Sequence, residues 1–302
     1  MCYSARIRSS LREISSEFRA TLDVDSFESL FRMRLKEPEQ KIPLGLDRYF
    51  LHAKDPAEAK LAKFILEFHE EEKGRKKAEI KTTHEEIKEL RSAKPTAASK
   101  KKIEVRERRL LKLEAKLNHG IDDISPLDDR VYPQYYAPVV AEGKSGRKLV
   151  PMRYRVRRPD GGEVPSQYNV FNARFDSLET ARTWTPLFGR THAIFPFVWF
   201  YEWVERDGKK QEIYFSPENR SLMWAASLYS VAKGAHGPLL SFAMVTDDPP
   251  PEVAAAGHDR CPIFLREDQM GEWLQPKNKS PESLKSLLQL KEKTFYLNGL
   301  AA

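Results

Sequence analysis

Apolar spacing divides this 302-residue chain into three stretches of different period. In the first, Leu11, Ile14 and Phe18 recur at helical spacing and predict a helix over 9–20. Phe27, Leu30, Phe31 and Met33 predict a second over 25–35, with Asp25 or Ser26 as N-cap and Pro38 beyond its end. The second stretch, 55–120, is charge-dense, and its apolar stripe is thin. Asp55 and Pro56 form a helix start, with Asp as cap and Pro in the first turn. Leu61, Phe64, Ile65 and Phe68 share one face, with Ile80, Ile87 and Leu90 further on. Residues 94–99 break the pattern around Pro95. A second helix then runs to about Asn118, with Ile103, Leu110, Leu113 and Leu117 near heptad spacing and Gly120 as C-cap. Two long helices around a short break predict an antiparallel hairpin.

From Val131 onward the pattern turns to short strands and turns. Residues 137–140 and 149–151 read as edge-like strands, and 159–162 is a Pro-Asp-Gly-Gly turn. The aromatic run 193–205 reads as one strand that turns at Asp207-Gly208 into a hairpin with 211–215. Further buried strands are expected at 222–230 and 239–246, a loop or helix from Pro249, and a short helix at 267–274. An amphipathic helix is expected at 280–290, carrying Leu284, Leu287, Leu288 and Leu290. Helices followed by strands, without βα alternation, imply an α+β fold.

Composition narrows the function classes only a little. A 40% hydrophobic and 11% aromatic content is enough for a real core. The formal charge of +7 leans toward a polyanionic partner, although the Lys/Arg runs of the hairpin are interleaved with Glu and read mostly as a solvated face. Two cysteines, Cys2 and Cys261, give no disulfide framework and fit a reducing, cytoplasmic setting. The first 11 residues hold arginines but no apolar run, so no signal peptide is expected. Nothing approaches the ~18 apolar residues of a membrane span, and no phosphate loop, metal-ligand spacing or repeat appears. No cofactor or metal is expected.

Four positions carry candidate chemistry. Cys2 becomes the N-terminal residue once Met1 is removed, and then presents an amine and a thiol on adjacent carbons. Such a pair condenses with an aldehyde through an imine to a thiazolidine, or attacks an amide with its own amine as base. A lone cysteine near a terminus is more often incidental. Asn172, in Asn-Ala-Arg, offers an amide donor and acceptor, and Arg174 a fork suited to phosphate. Glu202, in Phe-Tyr-Glu-Trp, is either a buried acid or base with a raised pKa or an edge-strand carboxylate facing water. His258 is a proton shuttle or a structural loop histidine. Asp259 or Arg260 is placed to orient it or to bind an anion. Cys261 reads as a packed thiol.

Met1-Cys2, Asn172-Ala173-Arg174, Phe200-Tyr201-Glu202-Trp203, His258-Asp259-Arg260-Cys261-Pro262 and Trp273-Leu274, in this order, resemble the SRAP family, the SOS response-associated peptidases or abasic-site processing proteins. The resemblance covers about 1–50 and 121–275. It implies one domain, 1–54 with 121–302, on a curved, mainly antiparallel, barrel-like sheet with flanking helices, and 55–120 as an inserted hairpin. It implies single-stranded DNA bearing an abasic site as partner, in the DNA damage response. Cys2 would cross-link to the ring-opened aldehyde as a thiazolidine, with lyase activity and autoproteolytic loss of Met1. Catalytic roles would fall to Cys2, Asn172, Glu202 and His258. DNA contacts would fall to Arg174, Arg153, Arg260 and Arg6, the last standing in for an Arg that usually follows Cys-Gly. Trp184, Trp199 and Trp203 are candidate base platforms, although core positions are the commoner fate of Trp. The protein would be a cytoplasmic monomer of bacterial or phage type, nucleoid-associated when on DNA, with the hairpin free for a protein partner.

The chain departs from the usual pattern at Tyr3-Ser4, where the family has Gly-Arg, at Cys261, where it has Met, and in the wider gap between Arg174 and Glu179-Thr180. The alternative reading is an N-terminal-nucleophile amidohydrolase of glutamine amidotransferase type using Cys2. It lacks the Gly-rich oxyanion segments such enzymes use and has no need of a basic surface.

Overall fold

A computed structural model describes residues 3–7, 10–92, 94–206, 208–218, 222–235 and 237–301. In chain order the elements are β1 (Ser4–Arg6), α1 (Leu11–Phe18), β2 (Thr21–Leu22), α2 (Val24–Lys36), α3 (Leu44–Leu51), α4 (Pro56–Ala59), α5 (Ala62–Ser92) and α6 (Ala97–Asn118). There follow β3 (Arg130–Val131), β4 (Tyr136–Gly143), β5 (Gly146–Tyr154), β6 (Asn172–Arg174), β7 (His192–Phe197), β8 (Trp199–Arg206), β9 (Lys209–Pro217), β10 (Met223–Ala232) and β11 (Leu239–Asp247). The chain ends with α7 (Pro251–Ala255), β12 (Cys261–Pro262), α8 (Met270–Leu274), α9 (Pro281–Gln289) and β13 (Tyr296–Leu300). The fold is α+β.

Two sheets share the strands. One runs β12-β11-β10-β7-β4-β5-β2, and a further parallel pairing of β11 with β5 closes β5-β4-β7-β10-β11 into a five-stranded barrel. Tyr154, Phe195 and Phe242 come from three of these strands and meet at 4.9–6.2 Å between ring centroids, so they fill the barrel interior. The second sheet runs β13-β9-β8-β1-β3. Phe264 touches Phe197 of the barrel and Phe200 of the second sheet, so one core serves both.

Several expectations are corrected. The run 193–205 is two strands in different sheets, split at Val198, whose N–H donates to the Arg6 carbonyl at 2.8 Å. An unbroken apolar run cannot show where a chain leaves one sheet for another. Residues 137–140 and 149–151 are interior barrel strands. Pro138 and Pro151 face each other in register, which permits two residues without N–H groups away from a sheet edge. The cap of α2 is Asp23, whose carboxylate accepts from Ser26 N–H at 3.1 Å. Gly120 does not cap α6. His119 ends that helix in extended conformation, and the Gly120 N–H donates to Asp123 instead. The helix opened by Asp55 stops after one turn, and α5 restarts at Ala62. Helix α3 and strand β13 had no sequence expectation.

Among the described residues, the hairpin of α5 and α6 is joined along its length by Arg106–Glu86 at 2.5 Å, Arg91–Glu107 at 2.6 Å and Arg109–Glu79, and α6 buries no residue. Its root is different in kind. Leu61, Phe64 and Ile65 belong to the main core. Beside them Arg34 of α2 makes a two-pronged bond to Asp47 of α3 at 2.9 Å on each arm, and His69 of α5 reaches the same carboxylate at 2.7 Å.

Candidate functional site

Glu202 lies on β8, and alternation along that strand decides its environment. Phe200, Glu202 and Val204 point into the core, while Trp199, Tyr201 and Trp203 point to the other face. The Glu202 side chain is only 2% exposed and sits 3.0 Å (Oε2 to Nε2) from His258, which lies between α7 and β12. Burial pushes the Glu202 carboxyl above its ordinary value, against the opposing pull of the His258 hydrogen bond. The solvent-facing reading of Glu202 is therefore excluded.

The other ring nitrogen of His258 fixes its tautomer. Nδ1 lies 2.8 Å from the Arg260 carbonyl oxygen and 3.4 Å from the Arg260 N–H. The shorter contact is the stronger, so Nδ1–H donates to the carbonyl and Nε2 faces Glu202. The two side chains thus form a hydrogen-bonded carboxyl–imidazole pair, with little of either side chain exposed.

Asn172 is on β6, in register with Met244 of β11. It is buried, and the Tyr154 hydroxyl donates to its Oδ1 at 3.2 Å. That bond orients the amide. Arg174, two residues on, lies at the surface and pairs with Asp176 at 2.6 Å. Arg260 reaches Asp248 at 2.9 Å and the same Asp176 at 4.0 Å. Asp176 thus brings Arg174 and Arg260 together beside His258. Arg6, on β1, stacks its guanidinium over the Trp199 ring at 4.7 Å. Arg153 is placed apart. It precedes Tyr154 on β5 and so points to the opposite side of that strand, buried against Glu163 at 2.9 Å. Cys2 lies outside the described residues. Trp184 is a core residue; Trp203 is 49% exposed.

Sequence reasoning missed Arg130. It is buried on β3, donates to the Ser4 hydroxyl at 2.8 and 2.9 Å, pairs with Glu212, and lies over the Tyr201 ring at 3.7 Å. Its strand is two residues long, and Ser4, Glu212 and Tyr201 are each more than 70 positions away, so no local pattern marks these contacts. It also missed Tyr154 as the group that orients Asn172. Cys261 is a buried free thiol whose pKa burial raises strongly, which leaves it packed and unreactive.

Residues 96–298 match the family described as SOS response associated peptidase (SRAP), and the chain belongs to that family. The match begins at Thr96, inside the hairpin. Relatives include the abasic site processing protein YobE of Bacillus subtilis (strain 168), 29% identical over 56% of this chain and 80% of YobE. Another is the abasic site processing protein YoqW of Bacillus phage SPbeta, 30% identical over 56% of this chain and 79% of YoqW. An X-ray structure of a protein from Bacteroides thetaiotaomicron superposes with a TM-score of 0.47 at 16% identity, covering 64% of this chain and 88% of that one. Among the described residues no helix is long and apolar enough to cross a membrane.

Proposed function

We propose that this protein acts on abasic sites in single-stranded DNA and traps them through Cys2. The observation that carries the reading is the buried Glu202–His258 pair set beside the start of the chain. Strand β1 lies in register on β8, with Ser4 opposite Tyr201, and the Tyr3 N–H donates to the Tyr201 carbonyl at 3.3 Å. Strand β1, which begins two residues after Cys2 in the sequence, therefore pairs with the strand that bears Glu202.

Balanced chemistry follows from the residue types. With Met1 gone, the Cys2 amine attacks the C1′ aldehyde of the ring-opened sugar and forms a carbinolamine. A proton delivered from the Glu202–His258 pair expels water and leaves an imine. The thiol adds its sulfur to the imine carbon and its proton passes to nitrogen, closing the thiazolidine. Water is the only product lost. Run as far as the imine alone, the same proton relay supports β-elimination of the 3′ phosphate, which is the lyase activity. Removal of Met1 by the protein itself would use the same acid–base pair.

Asn172, oriented by Tyr154, holds the terminal residue or the sugar. Arg174 and Arg260 contact phosphate. The outer face of β8 and β1 carries Arg6 on Trp199 and the exposed Trp203, a cation beside aromatic rings that suits an unpaired strand with splayed bases, while Arg130 is buried over Tyr201 beside them.

The test is incubation with a uracil-excised single strand, read on a denaturing gel and by mass spectrometry. A gel-stable adduct is expected from protein that has lost Met1, and none from Cys2→Ala. An undiminished adduct in Cys2→Ala would remove Cys2 from the reaction. Release of ammonia from glutamine without any adduct would instead establish the amidohydrolase.

A further inference from the structure

The chain's positive charge is concentrated on one helix. α6 holds eight basic residues, Lys100, Lys101, Lys102, Arg106, Arg108, Arg109, Lys112 and Lys116, against three glutamates. Eight less three is +5, set against +7 for all 302 residues. Helix α5, packed against it, is neutral, with eight basic and eight acidic residues.

Periodicity sorts these charges. At about 3.6 residues per turn, Ile103, Arg106, Leu110, Leu113 and Leu117 face α5, and all are partly covered. Arg106 and Arg109 are tied to glutamates of α5. On the opposite side Lys101, Arg108, Lys112 and Lys116 fall within one narrow sector, and all four are exposed. Among the described residues only Arg108 has an acidic neighbour there, Glu104 of the same helix at 3.4 Å, and exposed pairs of this kind contribute little. The stripe spans 16 residues, a rise of about 22 Å, which matches about six phosphates along one strand of duplex DNA. Its C-terminal end leads through 119–129 directly into β3, the strand beside β1.

We infer that the outer face of α6 binds the phosphodiester backbone of the DNA that the β1–β8 site processes, as a sequence-independent arm. The inference rests on the proposed function for its choice of polyanion. The hairpin's own ion pairs explain Arg106, Arg109 and Arg91. They leave the outward stripe without a structural role, since no side chain of α6 is buried.

The experiment measures binding of undamaged single-stranded and duplex oligonucleotides by fluorescence anisotropy at several salt concentrations. Three proteins are compared: wild type, an α6 variant (Lys101→Gln, Arg108→Gln, Lys112→Gln, Lys116→Gln), and an α5 variant (Lys73→Gln, Lys77→Gln, Lys81→Gln, Lys88→Gln) of equal net charge. Full engagement of the stripe predicts that the α6 variant loses about 3 from the slope of log K against log salt, and binds at least tenfold more weakly at low salt. The α5 variant should stay near wild type. Equal losses in both variants, or none in either, overturn the inference. So does a stripe that retains DNA affinity while losing only vesicle or acidic-protein binding. Adduct yield on abasic DNA at saturating concentration, measured in parallel, should be unchanged in the α6 variant. Failure of wild type to form that adduct would count against the proposed function and leave the salt comparison readable.

Discussion

At the residue scale, two buried titratable groups have opposite signs. The Glu202 pKa is raised by burial, so its contribution to stability is fully present below the ordinary carboxylate range and is lost as pH rises through the raised value. Glu202→Gln keeps the shape and a hydrogen bond to His258 without the charge. The variant should match wild type in melting temperature near pH 4 and exceed it near pH 8, while adduct formation slows by about 100-fold. A variant less stable than wild type at pH 8 would show that the carboxylate is held by more than this pair. His192 behaves in the other direction. Its Nε2 accepts from Gly189 N–H and its Nδ1–H donates to the Trp273 carbonyl, both at 2.9 Å, so the neutral ring is fully satisfied. Burial lowers its pKa to about 4. The stability it contributes is therefore present above about pH 6.5 and falls by roughly 3 kcal/mol as pH drops through 4. His192→Phe should be less stable at pH 7 but lose less between pH 6.5 and 4, as measured by urea unfolding. Glu202 and His258 were singled out in the sequence because each sits in a distinctive local string. Their 3.0 Å contact was not, since 56 residues separate them.

At the element scale, the hairpin divides into an integrated root and a free arm. Leu61, Phe64, Ile65 and the Arg34–Asp47–His69 cluster belong to the core, while beyond Glu72 only Thr83 and Ile87 of α5 are buried. Replacing 73–117 with a short Gly/Ser linker should leave the melting temperature within a few degrees of wild type. Deleting 55–120 outright should cost more than 5 kcal/mol, because it removes several core side chains and leaves a buried Arg34–Asp47 pair without His69. Equal stability of the two deletions would show that the root contributes nothing. The apolar spacing located these helices, whereas the caps read for them did not hold, since Asp55 opens a separate single turn and Gly120 does not cap α6. The sequence placed the boundary of independence at Asp55, because a helical pattern says nothing about which turns pack on another element. Strand β13 went unread for a related reason. Leu297, Asn298 and Leu300 are exposed, and only the register opposite β9 makes the segment a strand.

At the scale of the whole molecule, the two sheets are assembled from distant pieces of chain. β1 pairs with β8 almost 200 residues later, and β13 closes the far edge of β9. Truncating after Phe295 should uncover that edge and the Phe200–Phe264–Tyr296 cluster, lower stability by at least 3 kcal/mol, and promote association visible by light scattering. A monomeric, fully stable truncation would show β13 to be dispensable. The curved, barrel-like sheet was expected from the resemblance to the SRAP family together with the run of short strands. The closure through parallel pairing of β11 with β5 was not, because no local pattern encodes a parallel contact between strands some 90 residues apart. The position of β1 has a mechanical consequence. Were Cys2 tied to DNA as proposed, tension on that DNA would enter the protein through a three-residue strand held between β8 and β3. A motor hauling on the strand would first peel β1 away, then unravel α1, before any force reached the closed barrel. The trapped protein would therefore yield from its leading end, paying out an extended peptide open to cutting while the barrel stayed folded behind it.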